Sequence, residues 1–261
     1  MAMPKRTGLR KREIVFAVAA GALAAGGAAL ILDDSDGGSS RALAASNNLT
    51  YTVGAFDEIA TEGPQNVVVT MGDVASVRSE GPREALGVLE AVVEGGVLKI
   101  RPKDRFNFSS WWRISDATFY VTVPRLDSIA LAGSGNVTVD RIEGENFNGA
   151  IAGSGELSIA QLKVDDADFR IGGSGSISAV GTARATRVSI GGSGEIRGNG
   201  LRSQTASVSI GGSGDVALTV EQQARVSITG SGDVDIFGPA QCSVTQRGSG
   251  DVSCEGGGGT D

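Results

Sequence analysis

Gly-Ser-Gly occurs seven times in the second half of the chain. The triplets begin at Gly133, Gly153, Gly173, Gly192, Gly212, Gly230 and Gly248, at intervals of 20, 20, 19, 20, 18 and 18 residues. A near-constant period of this length marks a repeat fold, in which each unit buries its apolar face only against its neighbours. Four residues before the triplets stand Ile129, Gly149, Phe169, Val188, Val208, Val226 and Val244; two before stand Leu131, Ile151, Ile171, Ile190, Ile210, Ile228 and Gln246. Small or polar residues lie between, so the pattern is that of a strand with one buried face. Val137, Leu157, Ile177, Ile196, Val216, Val234 and Val252 open a second such strand after the turn. One repeat is thus strand, turn, strand, loop. Stacked repeats predict an all-β solenoid of two sheets, with rungs about 4.8 Å apart. Its corners need the pairs Gly133 and Gly135, Gly153 and Gly155, Gly173 and Gly175, Gly192 and Gly194, Gly212 and Gly214, Gly230 and Gly232, and Gly248 and Gly250. Glycine there supplies positive φ or lets backbones approach closely.

The pattern reaches upstream. Residues 58–69 overlay residues 128–139, with Gly63-Pro64-Gln65 as a degenerate turn. Strand-like runs surround Gly81 and Gly95-Gly96, and Arg83–Val93 is weakly helical in pattern. Residues 51–255 therefore read as one solenoid with a less regular N-terminal part, followed by the Gly-rich tail 256–261.

Phe56-Asp57-Glu58-Ile59, Gly63-Pro64 with Val67-Val68-Val69, Gly95 to Ile100, Val121 to Leu126 and the Gly-Ser-Gly array together resemble the head GIN domain family, known as putative auto-transporter adhesins. The resemblance covers about residues 51–255. It implies a right-handed, single-stranded β-helix of pectate-lyase type on a bacterial cell-envelope protein, and it brings no catalytic residues or cofactor with it.

Residues 1–13 are basic, with Lys5, Arg6, Arg10, Lys11 and Arg12. Ile14 to Leu32 is then 19 residues without a charge, closed by Asp33, Asp34 and Asp36. At 1.5 Å per residue such a helix spans roughly 28 Å, close to a bilayer's hydrocarbon core. Basic before and acidic after is the orientation that exports the C-terminal side. Two readings stay open. The segment is an uncleaved transmembrane anchor, or it is a signal peptide cut at Ala22-Leu23-Ala24 or Ala42-Leu43-Ala44. Residues 33–50 read as a flexible Gly/Ser-rich tether. Removing six basic and four acidic residues at positions 1–45 from totals of 23 and 30 leaves 17 and 26, a net charge of -9 for the exported body.

The whole chain's net charge of -7 argues against a nucleic-acid partner. The sequence has no histidine, which removes Ser-His-Asp and Cys-His catalysis and histidine metal ligands. Two cysteines are too few for a four-cysteine zinc site. No phosphate loop or Gly-x-Ser-x-Gly elbow occurs. Asn136, Glu156, Ser176, Glu195, Asp215, Asp233 and Asp251 come directly after the triplets and stack into a column. It reads as a solvated edge that keeps the chain soluble, with a weak divalent-cation ladder as the alternative. A polysaccharide-active enzyme would need grouped cations, and the spacing of Arg170, Arg184, Arg187, Arg197, Arg202 and Arg225 groups none.

Residues 101–120 hold six of the twelve aromatics and interrupt the repeats. Phe106, Phe108, Trp111 and Trp112 either complete the core or stand exposed as a loop for a glycan, a partner protein or the membrane interface. Cys242 falls in the inward column of Phe147, Ala167, Ala206 and Ala224, and Cys254 in that of Val139, Ile159, Leu218 and Ile236. Both face the core at the end of the last rung away from its turn, which predicts a disulfide in an exported chain; two reduced core thiols are the alternative. The function these features predict is structural or adhesive, non-catalytic, membrane-tethered and in the cell envelope, periplasmic or at the surface. A carbohydrate-binding module using loop 106–120 is the second reading and an enzyme the third. The partners implied are the membrane and a glycan or envelope protein, with no cofactor.

Overall fold

The computed structural model describes residues 47–103 and 114–256. In chain order the elements are β1 (Asn47–Tyr51), β2 (Glu58–Glu62), β3 (Asn66–Met71), β4 (Ser76–Gly81), α1 (Arg83–Gly87), β5 (Leu89–Glu94), β6 (Val97–Pro102) and β7 (Thr118–Val123). Next come β8 (Ser128–Gly133), β9 (Asn136–Val139), β10 (Ile142–Gly153), β11 (Glu156–Gly173), β12 (Ser176–Gly192), β13 (Glu195–Gly212) and β14 (Asp215–Gly230). β15 (Val234–Phe237), β16 (Gln241–Gly248) and β17 (Val252–Cys254) end the array. From β8 onward every pairing is parallel, rung on rung. The chain is a β-solenoid.

Each full rung has three faces rather than the two expected. In β11, Leu157 and Ile159 point inward, then Leu162 and Val164, then Ala167, Phe169 and Ile171. Two consecutive outward residues, Ala160-Gln161 and Asp165-Asp166, break the alternation twice. An outward pair turns a strand, because the next inward side chain must come from a new direction. The stretch expected to be a loop is thus a short third face. Rung length is adjusted there. β12 has one residue fewer than β11, and Gly181 takes the place of Leu162 with φ 138°.

The corners use their two glycines differently. The first of each pair has positive φ, from 130° at Gly173 to 142° at Gly248. The second does not, but a Cβ on it would lie 2.1 Å from the Gln65 carbonyl oxygen at Gly135 and 2.6 Å from the Gly155 oxygen at Gly175. The backbone of each corner rests on that of the one before, as in Ser174 N–H to Gly153 O, 2.9 Å. Inside, the columns are Ile, Val and Leu with Phe119, Phe147 and Phe169 fully buried. The hydroxyls of Thr186 and Ser203 satisfy each other within this core at 2.6 Å.

The overlay of residues 58–69 on 128–139 is the register of the structure: Ile59 pairs with Ile129 and Val67 with Val137. The rung made by β2 and β3 is not the first in space, however. It lies between the rung of β6 and β7 and the rung of β8 and β9. Beyond β6 and β7 the parallel stack stops. β5 pairs antiparallel with β6, β4 with β7, and β1 with β4. The helical pattern over Arg83–Val93 resolves into α1 and then strand β5, and β1 occupies the end of the predicted tether 33–50. Among the described residues no helix is long and apolar enough to cross a membrane. The expected span 14–32 lies outside them.

Candidate functional site

Three features stand apart from the regular stack. The first is the aromatic segment. β6 pairs with β2 and β7 with β3, and no Gly-Ser-Gly stands in the sequence between β6 and β7. Ile114, Ala117 and Phe119 are buried, and Tyr120 points outward beneath the Arg78 guanidinium, 3.8 Å from the ring centroid. Phe106, Phe108, Trp111 and Trp112 lie outside the described residues. In the neighbouring rung Gln65 replaces the second corner glycine and is fully buried. Its amide donates to Thr61 Oγ1 at 2.8 Å and to the Glu62 and Ile100 carbonyls at 3.0 and 3.3 Å.

The second feature is the column after the corners. Asp215 Oδ1 accepts from the Asp233 backbone N–H at 3.3 Å, and Asp233 Oδ1 from that of Asp251 at 2.9 Å. Each carboxylate thereby serves the backbone of the next rung. Glu195 instead pairs with Arg197 at 2.7 and 2.5 Å. Among the described residues no three acidic or cysteine side chains converge as metal ligands. Several of the arginines have nearby carboxylates: Arg170 meets Asp168 at 2.8 Å, Arg184 and Arg187 both meet Asp166 at 2.7 and 3.6 Å, and Arg202 approaches Glu221 at 3.7 Å. In the hairpin of β5 and β6, hydrogen bonding from Lys99 holds the Glu94 carboxyl below its usual range.

The third feature is a trough on the third face, which the expectation of a loop there concealed. Gly144, Val164 and Ala183 stack as its floor. Glu143, Lys163 and Thr182 form one wall on successive rungs, and Asp165, Arg184 and Gln204 the other. The open volume is about 440 Å³. A second depression of about 260 Å³, lined by Asp73, Pro124 and Arg141 among others, meets it at Glu143. At the far end of the solenoid Cys242 and Cys254 are joined, with S–S 2.16 Å and Cα–Cα 6.6 Å.

A stack of near-identical rungs with polar, locally paired outer columns defines a class: a repeat protein that presents an extended surface. Within that class, residues 55–240 match the family model for "putative auto-transporter adhesin, head GIN domain", and the chain belongs to this family. Solved structures share the fold. One is a putative adhesin from Bacteroides fragilis, 20% identical, TM-score 0.73, over 80% of this chain and 96% of that one. Another is a putative lipid binding protein from Parabacteroides distasonis, 20% identical, TM-score 0.64, over 80% and 96%. A putative adhesin from Parabacteroides merdae is 18% identical, TM-score 0.63, over 80% and 95%. No curated protein matches the chain.

Proposed function

We propose that this chain is a non-catalytic adhesive or structural solenoid of the bacterial cell envelope, held at a membrane by residues 14–32 with residues 33–46 as tether, and that its coil is right-handed. The observation that carries this reading is the family match over residues 55–240, almost the whole solenoid. The pairing of Arg170, Arg184, Arg187 and Arg202 with nearby carboxylates on the outer columns supports it, since catalysis on a polysaccharide would call for cations facing clustered carboxylates across a cleft. A lipid ligand is less well supported. The large apolar side chains exposed among the described residues are Leu49, Val74, Val180 and Phe237, on separate elements and connections.

The carbohydrate reading through loop 106–120 is the second one; it rests on the aromatic content of that segment, of which Thr118 to Tyr120 belong to strand β7. Surface labelling of whole cells against spheroplasts tests envelope display. Beads coated with the protein should attach to cells more than bare beads do. Absence of attachment, or turnover of a polysaccharide by the purified chain, would overturn the reading. Membrane-fraction protein should yield peptides from residues 33–45; a mature N-terminus at Ala25, Ala45 or Ser46 would refute the anchor.

A further inference from the structure

The trough is a concave stretch of the described surface. Its two halves meet at Glu143 and cross consecutive rungs, from Pro124 and Asp73 through Glu143, Lys163 and Arg184 to Gln204. With rungs about 4.8 Å apart, it runs for roughly 20 Å along the solenoid axis. A site of that form fits a linear polymer better than a compact ligand.

Its chemistry narrows the class. The floor is shallow: the Val164 and Ala183 side chains turn into the core and are only 7% exposed each, so the surface between the walls is mostly backbone, and a Cβ on Gly144 would meet no atom within 4 Å. The walls carry Glu143, Lys163, Asp165, Thr182 and Gln204, none of which has an ion pair or side-chain hydrogen bond among the described residues. They offer donors and acceptors in alternation, with no excess of either charge, and the solenoid as a whole is acidic. A polyanion would meet Glu143 and Asp165, and a polycation Lys163 and Arg184. A peptide that adds as a strand needs free main-chain partners. Here the backbones of β10, β11, β12 and β13 pair with one another. A neutral sugar chain needs neither: its hydroxyls donate to carboxylates and accept from ammonium and amide groups.

We propose that this trough binds a neutral, linear, hydroxyl-rich glycan lying along the solenoid axis, about one sugar per rung. This deepens the adhesive reading by naming its target. Binding by the purified chain is measured apart from cell attachment, so either can fail alone. The test is calorimetric titration of the full chain in detergent micelles with cellohexaose, laminarihexaose and hexagalacturonate. At least one neutral hexaose should bind in a 1:1 ratio and hexagalacturonate at least tenfold more weakly. Lys163→Ala and Asp165→Ala should each weaken binding about tenfold with an unchanged melting temperature, since both side chains are exposed. Gly144→Trp, whose side chain enters open space, should block it. Binding of neither neutral hexaose overturns the proposal. So does preference for hexagalacturonate, or loss of binding in the variant Trp111→Ala/Trp112→Ala with Gly144→Trp unaffected, which places the site on the aromatic loop.

Discussion

Gly211, Gly212 and Gly214 stand within four residues, and a methyl group on each meets a different fate. At Gly212 φ is 138° and a Cβ would lie 2.2 Å from the Gly192 oxygen. At Gly214 the backbone is ordinary, but a Cβ would lie 2.6 Å from the Gly194 oxygen and 2.7 Å from Ile190 Cγ2. At Gly211 the nearest atom is 3.9 Å away. Gly212→Ala and Gly214→Ala should each cost more than about 2 kcal/mol, through left-handed strain in the first and collision with a neighbouring rung in both. Gly211→Ala should fall within about 0.5 kcal/mol of the parent or stabilise it, because alanine restricts the unfolded chain. Urea denaturation of the three variants decides this; equal losses at all three would refute the distinction. The aspartate column gives a milder case. Asp233→Asn keeps an acceptor for the Asp251 N–H, whereas Asp233→Ala should lower protection of that amide in hydrogen exchange by severalfold.

At the scale of single elements, β16 and β17 form the edge of the stack. Val244 and Val252 are half-buried and Gln246 is exposed, so this rung lacks the cover its neighbours give each other. The Cys242–Cys254 link compensates. Closing a loop of about 13 residues stabilises by up to roughly 3 kcal/mol in the chain-entropy view. Cys242→Ser/Cys254→Ser should lose exchange protection over residues 241–254 while rungs from β10 to β13 keep theirs. Two alkylatable thiols in protein taken from the envelope would show that the bond is absent there. The columns holding both cysteines are legible in the sequence because the period is regular and the alternation clean. The third face is not: pairs such as Ala160-Gln161 and Asp165-Asp166 look like loop until their inward neighbours Leu162 and Val164 are seen to stack on Ile142 and Gly144. The trough is hidden with it. The antiparallel cap is hidden for another reason, since β4 meets β7 about 40 residues downstream and nothing local marks the partner.

The whole molecule is one-dimensional only in part. From β8 to β17 each rung touches the next one in sequence, so paired residues are 17 to 20 apart. At the other end, β2 and β3 are inserted between two rungs that come after them in the chain. Removing residues from the two ends therefore has unequal effects. A chain stopped after Phe237 loses an edge rung and exposes the next one, an adjustment a stacked array tolerates. A chain lacking residues 47–71 loses an interior rung. β6 and β7 would then face β8 and β9 across a vacant layer, and Leu98, Ile100, Phe119 and Val121 would lose the neighbours that bury them. Closing that gap requires the segment from β7 to β8, residues 124–127, to be remade. Hydrogen exchange on the two truncated chains is the measurement. The C-terminal truncation should leave residues 97–220 protected as in the parent. The N-terminal one should lose protection over residues 97–139 and keep it from β11 to β14. Equal protection of β6 to β9 in both truncations would mean that the inserted rung is dispensable and the stack closes without it.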